Sequence, residues 1–105
     1  MHSQDAVFRA LADPSRRAVL EQLMRGESAV NELTARFSIS QPAVSQHLAA
    51  LRKAGLVLER RAGRQVYYRV EPKGLRPLVD WLTHYQIFWG DRMERLSALL
   101  KEIDE

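Results

Sequence analysis

Hydrophobic positions along the chain keep a helical period first, a two-residue period next, and a helical period again to the end. Val7, Phe8, Leu11 and Ala12 share one side of a short helix predicted over 5–12. Asp13 and Pro14 read as an N-cap followed by proline at the first helical position, opening a second helix through Met24. Its apolar side is Val19, Leu20, Leu23 and Met24, and Gly26 stops it. Val30, Leu33 and Phe37 mark a third, shorter helix over 30–37, with its N-cap at Ser28 or at Ala29, the latter a poor cap. Only Phe37 to Ser40 separates this helix from the next, which leaves room for nothing but a tight turn between crossing helices. Helix, tight turn, then a polar-faced helix is the helix-turn-helix pattern.

The fourth helix, over 40–55, carries the densest local signals. Ser40 is placed as an N-cap, with Ile39 and Val44 at the spacing of a hydrophobic staple and Pro42 in the first turn, where its missing N–H costs nothing. Gly55 closes the helix just after Arg52 and Lys53 have put positive charge at its negative dipole end. On a helical wheel Val44, Leu48 and Leu51 fall within about one sixth of the circumference. The opposite side carries Pro42, Gln46 and Lys53, flanked by Ser45, Arg52, Ala43 and Ala49. That face is small and polar, suited to close approach.

After Gly55 two β-favouring runs, 56–61 and 65–70, flank Ala62, Gly63 and Arg64 as a hairpin loop, the wing of a winged helix. Alternation puts Leu56, Leu58, Val66, Tyr68 and Val70 on one buried face, with Arg60 on that side by period but beyond the core at the tip. Three arginines around a glycine turn, Arg60, Arg61 and Arg64, repel one another unless something negative lies between them. Pro72 and Gly74 break the chain again, and from there apolar residues recur at helical spacing to Ile103, with Pro77 in the first turn and Gly90 as the place for a bend. Trp81, Phe88 and Trp89 exceed what so small a domain can cover, so a partner subunit is the expected use, the alternative being a helix folded back on its own domain. The expected fold is mainly α (α+β), a winged helix-turn-helix of about five helices with a two-stranded β-hairpin wing, in a single domain over 1–105. Within it 30–55 is the helix-turn-helix, 56–70 the wing, and 4–12 and 74–103 the dimerisation helices.

Composition narrows the chemistry. With no cysteine among 105 residues, disulfides, thiolate catalysis and thiolate metal sites are excluded. The first residues lack the layout of a signal peptide and no apolar run reaches the ~20 residues of a membrane span, so a cytoplasmic protein without a membrane partner is expected. Net charge is only +3, but residues 36–69 hold seven bases against the one acid Glu59, whereas the stretch from Glu71 onward holds seven acids against five bases. A basic middle third fits either an anionic partner or a solvated basic surface.

The chain resembles the ArsR/SmtB family of winged-helix repressors. The resemblance rests on 8–17, on 30–33, on Ser40 to Leu48 (SQPAVSQHL), on Leu51 to Val57 (LRKAGLV) and on Gly63 to Arg69 (GRQVYYR). It implies a homodimer joined by the first and last helices, with Val7, Phe8, Leu11, Leu82, Tyr85, Phe88, Trp89 and Leu96 at the interface, blocking transcription from an operator near its own promoter. The stretch from Trp81 to Trp89 is similar to a subgroup without metal-binding cysteines. The family's thiolate site would fall on Ala29 and Asn31, neither of them a soft-metal ligand. Its second site, on the last helix, keeps Asp80 but has Leu82 in place of histidine; His84 follows, with Asp91 and Glu94 downstream. Asp80 and His84 stand one turn apart, a geometry equally suited to a zinc site or to an exposed hydrogen-bonded pair, and the expected reading is the pair, with no metal or cofactor.

For double-stranded DNA the division of labour is then defined. Gln46, beside Gln41 and Ser45, would meet base edges, and glutamine pairs bidentately with adenine. Ser40, Pro42 and Ala43 would abut the backbone or thymine methyls. Arg36, Arg52 and Lys53 would meet phosphates, with Arg61 and Arg64 of the wing reaching phosphate or a minor groove. His47, at the edge of the apolar stripe, is a packed residue or a base reader. Arg16 and Arg17 are phosphate contacts or partners of Asp13 and Glu21. An enzyme is not expected, since His2, His47 and His84 are the only histidines and no nucleophile set or glycine-rich phosphate loop accompanies them. A winged-helix protein-interaction module, and a repressor answering to zinc or to an organic effector held near Trp81, Tyr85 and Trp89, are the alternatives.

Overall fold

The computed structural model describes residues 3–104, the side chains of residues 3, 4 and 87–89 excepted. Two helices lead, α1 (Ser3–Leu11) and α2 (Pro14–Leu23), joined through Asp13, whose carboxylate accepts from the Ser15 N–H at 2.8 Å and the Arg16 N–H at 3.2 Å. Those N–H donors hold the Asp13 carboxyl below its ordinary pKa. Arg16 and Arg17 turn back to the end of α1, donating to the carbonyls of Arg9, Ala10, Leu11 and Ala12, and so neutralise its exposed C-terminal groups.

A two-residue strand, β1 (Ser28–Ala29), precedes α3 (Val30–Arg36) and α4 (Gln41–Lys53). Ala29 has no side chain able to cap α3, and Glu32 supplies the other half of the capping arrangement by accepting from the Ala29 N–H at 3.1 Å. Ser40 caps α4 as its sequence position predicts, its Oγ accepting from the Ala43 N–H at 3.2 Å. At the far end Gly55, at φ +80°, donates to the Arg52 carbonyl while the Leu56 N–H reaches the Leu51 carbonyl at 2.9 Å, the paired bonds of a Schellman motif.

The wing is β2 (Val57–Ala62) and β3 (Gln65–Val70), antiparallel, with Ala62 opposite Gln65, so the turn is the two residues Gly63 and Arg64 rather than three. Gly63 takes φ +62° at the first turn position, where a side chain would be strained. The sheet has a third strand that the periodicity did not reveal: β1 lies on the other edge of β3, Ser28 opposite Tyr68 and Ala29 opposite Tyr67.

Three further assignments change. Leu56 is spent on closing α4, so the two-residue alternation restarts at Val57: Val57 is buried opposite Val70, and Leu58 is the exposed neighbour. Met24, expected on the buried side of α2, is 55% exposed, because it already lies in the cap beyond the last buried turn. Val7, expected at an interface, is 1% exposed and belongs to the core with Val19, Leu20, Leu23, Leu33, Val44, Leu48, Leu51 and Leu56.

A 3₁₀ turn (Pro72–Leu75) leads into α5 (Arg76–Asp104). Here Gly74 is required by contact: a Cβ built on it would overlap the backbone carbonyl of Gly55 at the end of α4. The alternative of a helix folded back on its own domain holds only for the start of α5, where Leu78 packs against the core. Val79, Leu82, Met93, Leu96, Leu99, Leu100 and Ile103 all remain exposed along α5, and Phe8 of α1 meets it edge-on at Trp81 with ring centroids 5.3 Å apart. The radius of gyration, 16.5 Å, accordingly exceeds the ~13 Å of a compact chain of this length.

Candidate nucleic-acid interface

Burial of Val44, Leu48 and Leu51 beneath α4 sets which of its faces meets solvent. Gln41, Pro42, Ser45, Gln46 and Ala49 are exposed on that face, and Lys53 continues it at the C-terminal end. Ala43 is half-buried, as is His47. The latter lies on the flank towards α2, close enough to Asp13 for its charge to favour the Asp13 carboxylate. His47 thus borders the reading face.

The wing flanks that face with arginine, but its cations are not equivalent. Arg60 sits on the face opposite to the one its period suggested, because the alternation restarted at Val57. Its guanidinium grips Glu27 through two bonds, Nε at 3.2 Å and the NH2 nitrogen at 2.6 Å, and lies 4.7 Å from the centroid of Tyr67. Glu27 thus neutralises one of the three wing arginines. The bond to Arg60 holds the Glu27 carboxyl below its ordinary pKa and raises that of the arginine. Arg61 and Arg64 are exposed at the tip, and among the described residues neither is in an ion pair. Arg36 at the end of α3 and Lys53 are likewise exposed and in no ion pair among those residues.

Arg52 is different. Its NH1 nitrogen lies 2.7 Å from Glu59 Oε1 on β2, and the second oxygen of that carboxylate accepts from the Tyr68 hydroxyl at 3.1 Å. Burial first, and the bond to Glu59 second, push the Tyr68 phenol up. Arg52 is expected from sequence among the phosphate-binding cations; its pair with Glu59 joins helix to wing across a distance that local spacing does not encode.

On α5, the Asp80 carboxylate accepts from Arg76 one turn earlier, Nε to Oδ1 at 2.9 Å, and the His84 ring stands edge-on to Tyr85 with centroids 6.1 Å apart. Asp91 and Glu94 lie a further ~11–14 residues along the helix, more than 15 Å away at 1.5 Å per residue, too far to close around one ion with Asp80 in one chain. Among the described residues no group of three metal-ligating side chains occurs. Leu11 packs against the core from one side, and Leu82, Tyr85 and Leu96 are exposed; the Phe88 and Trp89 side chains lie outside the described residues.

A polar, closely approachable helix beside an arginine-tipped hairpin defines a winged helix-turn-helix DNA-binding protein. Residues 13–58 match the family described as bacterial regulatory protein, arsR family. The chain is 45% identical over 98 residues to the HTH-type transcriptional regulator Rv2034 of Mycobacterium tuberculosis, covering 93% of this chain and 89% of that one. It is 32% identical to the transcriptional repressor SdpR of Bacillus subtilis, over 75% of this chain and 88% of that protein. Among solved structures it is similar to an ArsR family transcriptional regulator at 32% identity and a TM-score of 0.78, with 85% of this chain and 98% of that one covered. The protein belongs to the ArsR family of transcriptional regulators, in a form without cysteine.

Proposed function

We propose that the protein is a homodimeric repressor that binds a pseudo-palindromic operator through the major groove. The observation that carries this reading is the exposed, uncharged face of α4, Gln41 to Ala49, standing beside Arg61 and Arg64 of the wing, which are in no ion pair among the described residues. A groove of ~12 Å admits one helix, and Gln46 at the centre of the face matches the donor and acceptor pair of adenine. Ser40, Gln41, Pro42, Ala43 and Ser45 line the approach to backbone and methyl groups, while Arg36, Lys53, Arg61 and Arg64 meet phosphates or the neighbouring minor groove.

The exposed apolar stripe of α5, with Phe8 and Leu11 of α1 beside it, joins two copies about a two-fold axis. Half-sites then lie one helical turn, ~34 Å, apart. In this reading the protein acts in the cytoplasm and as a binding protein rather than an enzyme. Selection of bound duplexes from a random pool tests it: recovered sequences should contain inverted repeats at that spacing with an A·T pair in each half. Recovery of no common sequence, or of single unrepeated sites, would overturn it.

A further inference from the structure

Between residues 36 and 69 every charged side chain but one is basic, and the exception, Glu59, lies on the strand that faces the recognition helix. Its two oxygens serve two elements: Oε1 holds Arg52 of α4 at 2.7 Å and Oε2 holds the Tyr68 hydroxyl of β3 at 3.1 Å. The side chains of this pair are 54% exposed for Arg52 and 27% for Glu59, so the bond adds little to stability. Its electrostatic effect is larger, because DNA affinity grows with each phosphate a free cation neutralises. Arg52 stands at the edge of the reading face, where an unpaired guanidinium would meet phosphate whatever the base sequence.

We propose that Glu59 is a specificity-determining positioning residue, which withholds Arg52 from the phosphate backbone and sets the wing's angle to the recognition helix. Sequence-independent attraction is thereby held down, and discrimination rests on the base contacts of α4. The inference builds on the DNA-binding reading and assigns Arg52 a role other than phosphate contact.

Affinity for a selected duplex and for a mixed-sequence duplex, measured across a fourfold range of salt, tests it. Glu59→Gln keeps the shape and an acceptor for Tyr68 but releases Arg52. Its salt slope should steepen by about one phosphate contact, so that it loses about 3.5-fold more affinity than the wild type over that range. Mixed-sequence binding at low salt should rise more than binding to the selected duplex, lowering their ratio severalfold. Arg52→Gln alone should leave the slope unchanged, and adding it to Glu59→Gln should restore the wild-type slope.

A merely structural pair would weaken both duplexes together and leave all slopes alike. That result, or a shallower slope for Arg52→Gln, would overturn the proposal, the latter even where Glu59→Gln fails to fold. Wild-type protein that binds neither duplex at low salt would instead overturn the DNA-binding reading and this inference with it.

Discussion

Gln46 owes its position to three residues it does not touch in sequence: burial of Val44, Leu48 and Leu51 turns the glutamine outward. Replacing it with alanine should cost about 1–3 kcal/mol of operator binding and relax preference at one base position, with fold unchanged. Competition binding against single-base operator variants measures this. Gly74 works by absence. Since a methyl there has no room beside the Gly55 carbonyl, Gly74→Ala should destabilise the protein by about 1–3 kcal/mol, read as a lowered melting temperature. At this scale the sequence was informative wherever a residue acts through its neighbours in the chain. Ser40, Pro42 and Gly55 declare a helix's start and stop, and all stand as the sequence predicts. The ion pairs of Arg60 and Arg52 were not legible there, because their partners, Glu27 and Glu59, are brought to them by tertiary crossing, which local spacing does not encode.

The elements show the same division. The helices follow from periodicity and caps, and each boundary falls within a few residues of its sequence signal. The wing's phase does not follow, since it depends on whether Leu56 belongs to the helix end or to the strand. The Schellman bond from the Leu56 N–H to Leu51 decides for the helix. Strand β1 escaped because two residues carry no period; it exists because the edge of β3 offers it partners.

A consequence at this scale concerns acid. The wing is tied to the segment before β1 by Glu27, whose carboxyl titrates lower in the folded protein than its ordinary value because Arg60 favours the charged form. A depressed folded pKa means the tie contributes fully above the unfolded value and is lost as pH falls through the folded one. Glu27→Gln should therefore melt below wild type near neutral pH, with the difference closing as pH drops below the carboxylate range. Melting curves across that range check it, and a gap that widens in acid would show the wrong sign.

For the whole molecule the controlling fact is that α5 leaves Leu82, Leu96 and Ile103 in water, at 49%, 48% and 68% exposure. Soluble monomers rarely keep a contiguous apolar stripe of this kind. Leu82→Glu or Leu96→Glu should convert a dimer into a monomer and abolish cooperative occupation of a two-fold operator, while the helix-turn-helix core, which uses neither residue, still folds. Sedimentation velocity and circular dichroism separate the two effects. Sequence already pointed to such a surface through its surplus of aromatics, but Val7 was assigned to it and belongs inside.

The seat of Gly74 on the Gly55 carbonyl joins the root of that long helix to the tail of the one that reads DNA, with no methyl's width of slack. Such a joint has no backlash. In the proposed dimer, a swivel of one protomer would turn its α5 into a lever arm and change the distance between the two reading heads.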